Sequence, residues 1–120
     1  MLKDNFFTVQ EINEDAEGFV AKILLKKDHE IYQGHFPGNP IVPGVCLVQI
    51  IKELVEGNIS HQLNLKKADN IKFMNFVNPH ENDRLLFTVV VKKEPEIYAK
   101  ATVSFEDKTF LKFGGSFAIQ

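Results

Sequence analysis

The 120-residue chain carries 14 Lys and Arg against 16 Asp and Glu, with 44% hydrophobic and 25% charged residues. That balance fits one globular domain over residues 1–120, leaves no basic field for nucleic acid, and contains no apolar run of the roughly 18–20 residues that spans a bilayer. One cysteine allows no internal disulfide, and "MLKDNFF" lacks the basic and apolar regions of a secretory leader, so a cytoplasmic protein is expected.

In chain order, "FFTVQEI" and "GFVAKILLKK" read as short strands separated by the turn-rich "NEDAEG". Residues 34 to 49, "GHFPGNPIVPGVCLVQ", place three glycines and three prolines within eleven residues and then enter an apolar stretch. A helix is expected from about Gly44 to Glu56, with Pro43 where a helix entrance tolerates a missing N–H and Gly57-Asn58 as the stop. Its Val45, Leu47, Val48, Ile50, Ile51, Leu54 and Val55 cover most of the circumference and demand burial. "HQLNLKKAD" reads as a polar connector. "NIKFMNF", "RLLFTVVVKK", "EIYAKATVSFED" and "TFLKFGGSFAI" follow as strands, with Ile97, Ala99, Ala101, Val103 and Phe105 sharing one face of the third. Gly114-Gly115 marks a bulge or a close backbone approach. One helix with five or six mostly antiparallel strands makes an α+β domain whose sheet wraps around the helix.

The residues 34–45 carry a resemblance. Gly34, His35, Phe36, Pro37, Pro40, Ile41, Pro43, Gly44 and Val45 fall at the spacing of the active-site segment of the hot-dog-fold 3-hydroxyacyl-acyl-carrier-protein dehydratases. "IKFMNFVNPHEND" resembles a second family segment through Lys72, Phe73, Pro79 and Asp83, with an altered and longer turn. The resemblance implies a hot-dog fold, a homodimer or higher oligomer of dimers with paired central helices, and sites at the dimer interface. It also implies an acyl thioester substrate on acyl carrier protein or coenzyme A, without cofactor or metal.

Dehydration of such a thioester requires removal of a C2 proton, stabilisation of charge on the thioester oxygen and departure of hydroxide from C3. His35 suits the first step. Unpaired N–H groups of Gly44 and Val45 at the helix start suit the second. Pro43 and its neighbours preorganise the loop, and Phe36 is expected to line the acyl tunnel. The resemblance places a carboxylate at position 49, where this chain has Gln49, an amide that cannot supply a proton at neutral pH. Three readings follow: His35 acts alone with Gln49 orienting the hydroxyl, Glu53 one turn later takes the acid role near the substrate, or the reaction differs. The different reaction is thioester hydrolysis on the same fold; an inactive acyl-binding subunit paired with an active partner is the non-catalytic alternative. Gln49, Lys52, Glu53 and Glu56 also read as an ordinary polar stripe.

Other candidates have plainer explanations. Cys46 is either a thiol activated at a helix start or a small buried hydrophobe. His29, His61 and His80 lack metal-ligand spacing. The eleven phenylalanines are core residues by default, with Phe73 and Phe76 as secondary candidates for the tunnel.

Overall fold

The computed structural model describes residues 1–32 and 40–120. Its elements are β1 (Phe7–Glu14), β2 (Gly18–Leu25), a 3-10 turn at Glu30–Tyr32, α1 (Gly44–Ile59), β3 (Leu63–Phe73), β4 (Arg84–Lys92), β5 (Ile97–Phe105) and β6 (Lys108–Ile119). The strands form one six-stranded sheet in the order β1-β2-β4-β5-β6-β3, and every pairing is antiparallel.

Period-two alternation decides which face of the sheet is covered. Phe19, Ala21, Ile23 and Leu25 of β2, Leu85, Phe87 and Val89 of β4, and Ala99, Ala101 and Val103 of β5 are all buried. They join Leu47, Ile50, Ile51, Leu54 and Val55 of α1 in a single core cluster. Each large aliphatic or aromatic side chain so covered contributes about 1.5–3 kcal/mol, which is why the helix stays within the curve of the sheet. Phe6, Phe7, Phe19, Phe87, Phe110, Phe113 and Phe117 are buried, as the default reading expects. No helix among the described residues is long and apolar enough to cross a membrane.

Three expectations change. The helix runs past Gly57-Asn58 to Ile59 and is stopped by Ser60, whose left-handed backbone (φ 59°, ψ 41°) lets its N–H donate to the Glu56 carbonyl. A mid-helix glycine costs only about 1 kcal/mol, and half-buried Ile59 packs against the core. The polar connector is in fact the first part of β3, which pairs with β6 from Leu63 to Phe73. As an edge strand with only Leu63 buried, it has no apolar face to reveal its period. Val45 is 75% exposed and Val48 half-buried, because the sheet covers α1 on one side only.

Gly114-Gly115 serves both anticipated purposes. The β3–β6 register slips between Ala68 and Asn70, opposite this pair. A Cβ on Gly115 would lie 2.9 Å from the Lys67 carbonyl oxygen, and one on Gly114 would lie 2.7 Å from the Tyr98 hydroxyl. At Gly115, β6 thus approaches the β3 backbone more closely than a larger residue allows, while Gly114 leaves room for the Tyr98 side chain of β5.

Candidate active site

The start of α1 is held in place by the segment that follows β3. Val42 N–H donates to the Val77 carbonyl at 2.8 Å, and Cys46 N–H donates to the Pro43 carbonyl at 2.9 Å. Pro43 itself has φ −58° and ψ 137°, an extended geometry its ring favours. Among the described residues, no acceptor meets the N–H groups of Gly44 or Val45. Two oriented donors therefore stand at the positive end of a sixteen-residue helix.

A cavity of about 590 Å³ opens at this helix start, lined by Pro43, Gly44, Leu47, Phe73, Phe76 and Val77 among others. Phe73 and Phe76 are 56% and 79% exposed, so their place is at the cavity rim and not in the core. The Phe73 ring fills the space that a side chain at Gly44 would need: a Cβ there would lie 2.5 Å from its Cε1 and Cζ. Glycine at position 44 lets an aromatic ring, or a flat thioester in its place, reach the helix backbone.

His35 and Phe36 lie outside the described residues. The chain approaches them through Tyr32, a buried residue whose ring packs 5.8 Å from that of Phe6. Its hydroxyl has no hydrogen-bond partner among the described residues, and burial, helped by the nearby Cys46 thiol, pushes its ionisation well above the ordinary tyrosine value. Burial also pushes the Cys46 thiol up. Cys46 is therefore a small buried hydrophobe, and the activated-thiol reading fails because desolvation outweighs the helix start.

Gln49 is not brought to the cavity at Gly44. Five residues along a helix amount to about 140° around its axis, and Gln49 lines a separate hollow of about 460 Å³ with Met1, Lys52, Glu56 and His61. It shares a face with exposed Val45, one turn earlier. Glu53 is not brought to the cavity either. It is 6% exposed, and its carboxylate accepts N–H bonds from Leu2 at 2.8 Å and Lys3 at 2.9 Å. A third bond comes from the Gln49 amide nitrogen at 2.8 Å. No periodicity in the sequence signals this anchor, since its backbone donors lie about fifty residues away.

The longer turn after β3 is organised by Asn78, whose side chain accepts from His80 N–H and whose carbonyl accepts from Asn82 N–H. Asp83, at its end, pairs with Lys27 at 3.4 Å. His29 accepts from Ile31 N–H through Nδ1, which leaves Nε2 to donate to Asn5. Among the described residues no cluster of three or more potential metal ligands occurs.

Residues 11–111 match the family described as ApeI-like, ApeI dehydratase. The chain is 31% identical over 102 residues to the 3-hydroxyacyl-[acyl-carrier-protein] dehydratase FabZ of Fusobacterium nucleatum, covering 78% of this chain and 69% of that one. It is 27% identical over 114 residues to the protein of the same name from Halalkalibacterium halodurans, covering 89% and 81%. Among solved structures, a chain of the dehydratase heterocomplex ApeI:P from Xenorhabdus doucetiae superposes with a TM-score of 0.74 at 16% identity, covering 92% of this chain and 96% of that chain. The likeness confirms the expected hot-dog arrangement of one antiparallel sheet around one central helix.

Proposed function

Because the chain belongs to the ApeI-like dehydratase family, we propose that it removes water from a 3-hydroxyacyl thioester with His35 as base and the Gly44 and Val45 N–H groups at the thioester oxygen. The observation that supports this reading is that Gly44, whose N–H meets no acceptor among the described residues, lines a largely apolar cavity at the start of α1, with the acceptor-free Val45 N–H next to it in the chain. As the C2–H bond breaks, its proton passes to the His35 imidazole and negative charge gathers on the thioester oxygen. Two oriented donors at a helix start are suited to hold that charge. The electron pair then forms the C2–C3 double bond as the C3–O bond breaks, and the departing hydroxyl takes the proton back from the His35 imidazolium and leaves as water.

The substrate arm enters over Phe73 and Phe76, with Phe36 and Pro43 against the acyl chain. Acyl carrier protein is the carrier we assign, by analogy with the relatives' names. The working unit is a homodimer. β3 offers an unpaired edge of eleven residues, and Leu65, Ile71, Phe73 and Val45 beside it are exposed; an open apolar edge of this kind calls for a partner. Pairing α1 with its copy through the Val45 face carries Gln49 toward the site of the other chain. We place the enzyme in the cytoplasm, where its lone thiol stays reduced.

The test is mass spectrometry of a panel of 3-hydroxyacyl carrier proteins and coenzyme A thioesters incubated with the protein. The expected result is loss of water with the thioester intact. Release of free carrier thiol without an enoyl product would overturn the reading in favour of hydrolysis, and an unchanged panel would overturn catalysis altogether.

A further inference from the structure

Phe73 stands where a thioester at Gly44 would have to lie. It is the last residue of β3, and the three atoms nearest a Cβ on Gly44 all belong to its ring, at 2.5, 2.5 and 3.4 Å. The ring thus covers the Gly44 backbone that lines the cavity, yet more than half of Phe73 is exposed. Phe76 lines the same cavity and is more exposed still, but its ring is not among those nearest neighbours of Gly44.

The backbone around the ring is fixed. Phe73 pairs with Leu111 across β3 and β6, Met74 N–H donates to the Phe110 carbonyl at 2.9 Å, and the Asn75 side-chain amide donates to the Thr109 carbonyl at 2.7 Å. Val77 ends the segment by accepting from Val42 N–H at 2.8 Å, which ties it to the approach to α1. Opening the cavity by backbone movement would break these bonds. The side chain is under no such restraint: a step to the next staggered position about its Cα–Cβ bond, about 120° away, carries the ring off Gly44 and leaves β3 in place. We propose that Phe73 is the gate of the acyl site: its ring occupies the thioester position in the free protein and turns on its own side-chain bond to admit an acyl-pantetheine arm.

This rests on the dehydratase reading, in which the thioester lies against Gly44, and adds what controls access to it. An exposed side chain changes rotamer in picoseconds to nanoseconds, whereas enzyme turnover takes about a millisecond to a second, so the ring does not limit kcat. It lowers apparent affinity instead, by the fraction of time that it stands aside. An open fraction of roughly 10–30% makes KM about three- to tenfold higher than in a site without the ring. A fixed aromatic wall predicts the reverse, since its removal takes apolar contact away from the bound arm.

The experiment follows the Gly44 Cα protons by NMR, assigned by their absence from Gly44→Ala, in wild type, Phe73→Leu and Phe76→Leu. Each protein is observed free and saturated with octanoyl-pantetheine, a thioester without the 3-hydroxyl and so unable to lose water. Methyl signals of Leu47 and Val77, which line the cavity, report binding. In the free proteins the ring current of Phe73 should separate the wild-type Gly44 signals from those of Phe73→Leu, while Phe76→Leu matches wild type. At saturation the wild-type and Phe73→Leu signals should coincide. On 3-hydroxyoctanoyl-pantetheine, Phe73→Leu should lower KM about three- to tenfold with kcat within about twofold.

Identical Gly44 signals in free wild type and free Phe73→Leu would overturn the placement of the ring. A separation that persists at saturation, or a raised KM in Phe73→Leu, would overturn the gate in favour of a fixed wall. Leu47 and Val77 signals that never move would overturn the acyl site and the gate together. Coincident signals at saturation, with no water lost from the 3-hydroxy substrate, would defeat the dehydratase reading and leave the gate standing, so the two failures are distinct. Should Phe73→Leu not fold, wild type decides alone: nuclear Overhauser contacts between the Phe73 ring and the Gly44 Cα protons should be present in the free protein and lost at saturation, and contacts retained there overturn the gate.

Discussion

Gly44→Ala separates the thermodynamic from the chemical role of the helix start. The new Cβ would sit 2.5 Å from Cε1 and Cζ of Phe73, whereas carbon atoms rest at about 3.5–4.0 Å. The ring must therefore retreat by about 1 Å. It is the far end of a side chain more than half exposed, so the movement costs about 1 kcal/mol or less, and alanine returns up to about 1 kcal/mol of helix propensity. The net change in stability is within about 1 kcal/mol, or about 4 °C in Tm for a chain of this size. Activity should behave differently. A methyl group on the path to the Gly44 N–H displaces the thioester oxygen from its donors, and loss of one such donor costs about 10²-fold in kcat. Thermal unfolding by circular dichroism and kcat/KM on a 3-hydroxyacyl thioester measure the two effects in one preparation. The double variant Gly44→Ala/Phe73→Ala removes the displaced ring; the activity loss persists there if the methyl itself blocks the substrate. A kcat/KM within threefold of wild type would refute approach of the thioester at Gly44, and a Tm loss beyond about 8 °C would refute the freedom assigned to Phe73.

His35→Ala should lower turnover by at least about 10²-fold while leaving the circular dichroism spectrum unchanged; equal activity would remove His35 from the chemistry. Glu53→Ala leaves three N–H groups without their acceptor and should cost about 2–4 kcal/mol in urea unfolding, with a loss below about 0.5 kcal/mol contradicting the anchor. Alkaline pH offers a third check. Burial raises the Cys46 thiol and the Tyr32 hydroxyl above their ordinary values, so the folded state keeps protons that the unfolded chain releases. Stability should fall as pH rises past about 9, by up to about 1.4 kcal/mol per unit for each group. Cys46→Ala should flatten the onset of that fall and Tyr32→Phe its continuation above about 10, and a parallel curve in either variant would contradict the assignment. Val45→Asp adds a charge that favours the helix start but opposes burial of that face, so sedimentation velocity should show monomer for the variant against the dimer proposed for wild type. A dimer unaffected by Val45→Asp would place the interface elsewhere.

Much of the fold was legible because its causes are local. Alternation in β2, β4 and β5 marks residues that must face one core, and the apolar character of residues 44–55 commits that segment to the interior wherever the sheet closes. The nine motif residues of 34–45 have fixed spacing, which is legible in sequence because its members are near neighbours along the chain. What the residues around β3 do was not legible: an edge strand covered on neither face carries no period, so "HQLNLKKAD" looks like a connector until β6 pairs with it.

The amino-acid sequence alone determined β1, β2, β4, β5 and β6, the central helix and the identity of the groups available for chemistry at positions 35, 44, 45 and 49. Only the tertiary structure decided that Val45 stands exposed, that Phe73 rests on Gly44, and that Glu53 accepts from Leu2, Lys3 and Gln49. The physical reason is range. Backbone conformation and burial periodicity are set by residues a few positions apart, whereas the partner of a buried carboxylate and the uncovered side of a helix depend on which distant segments the closed sheet brings within hydrogen-bond reach.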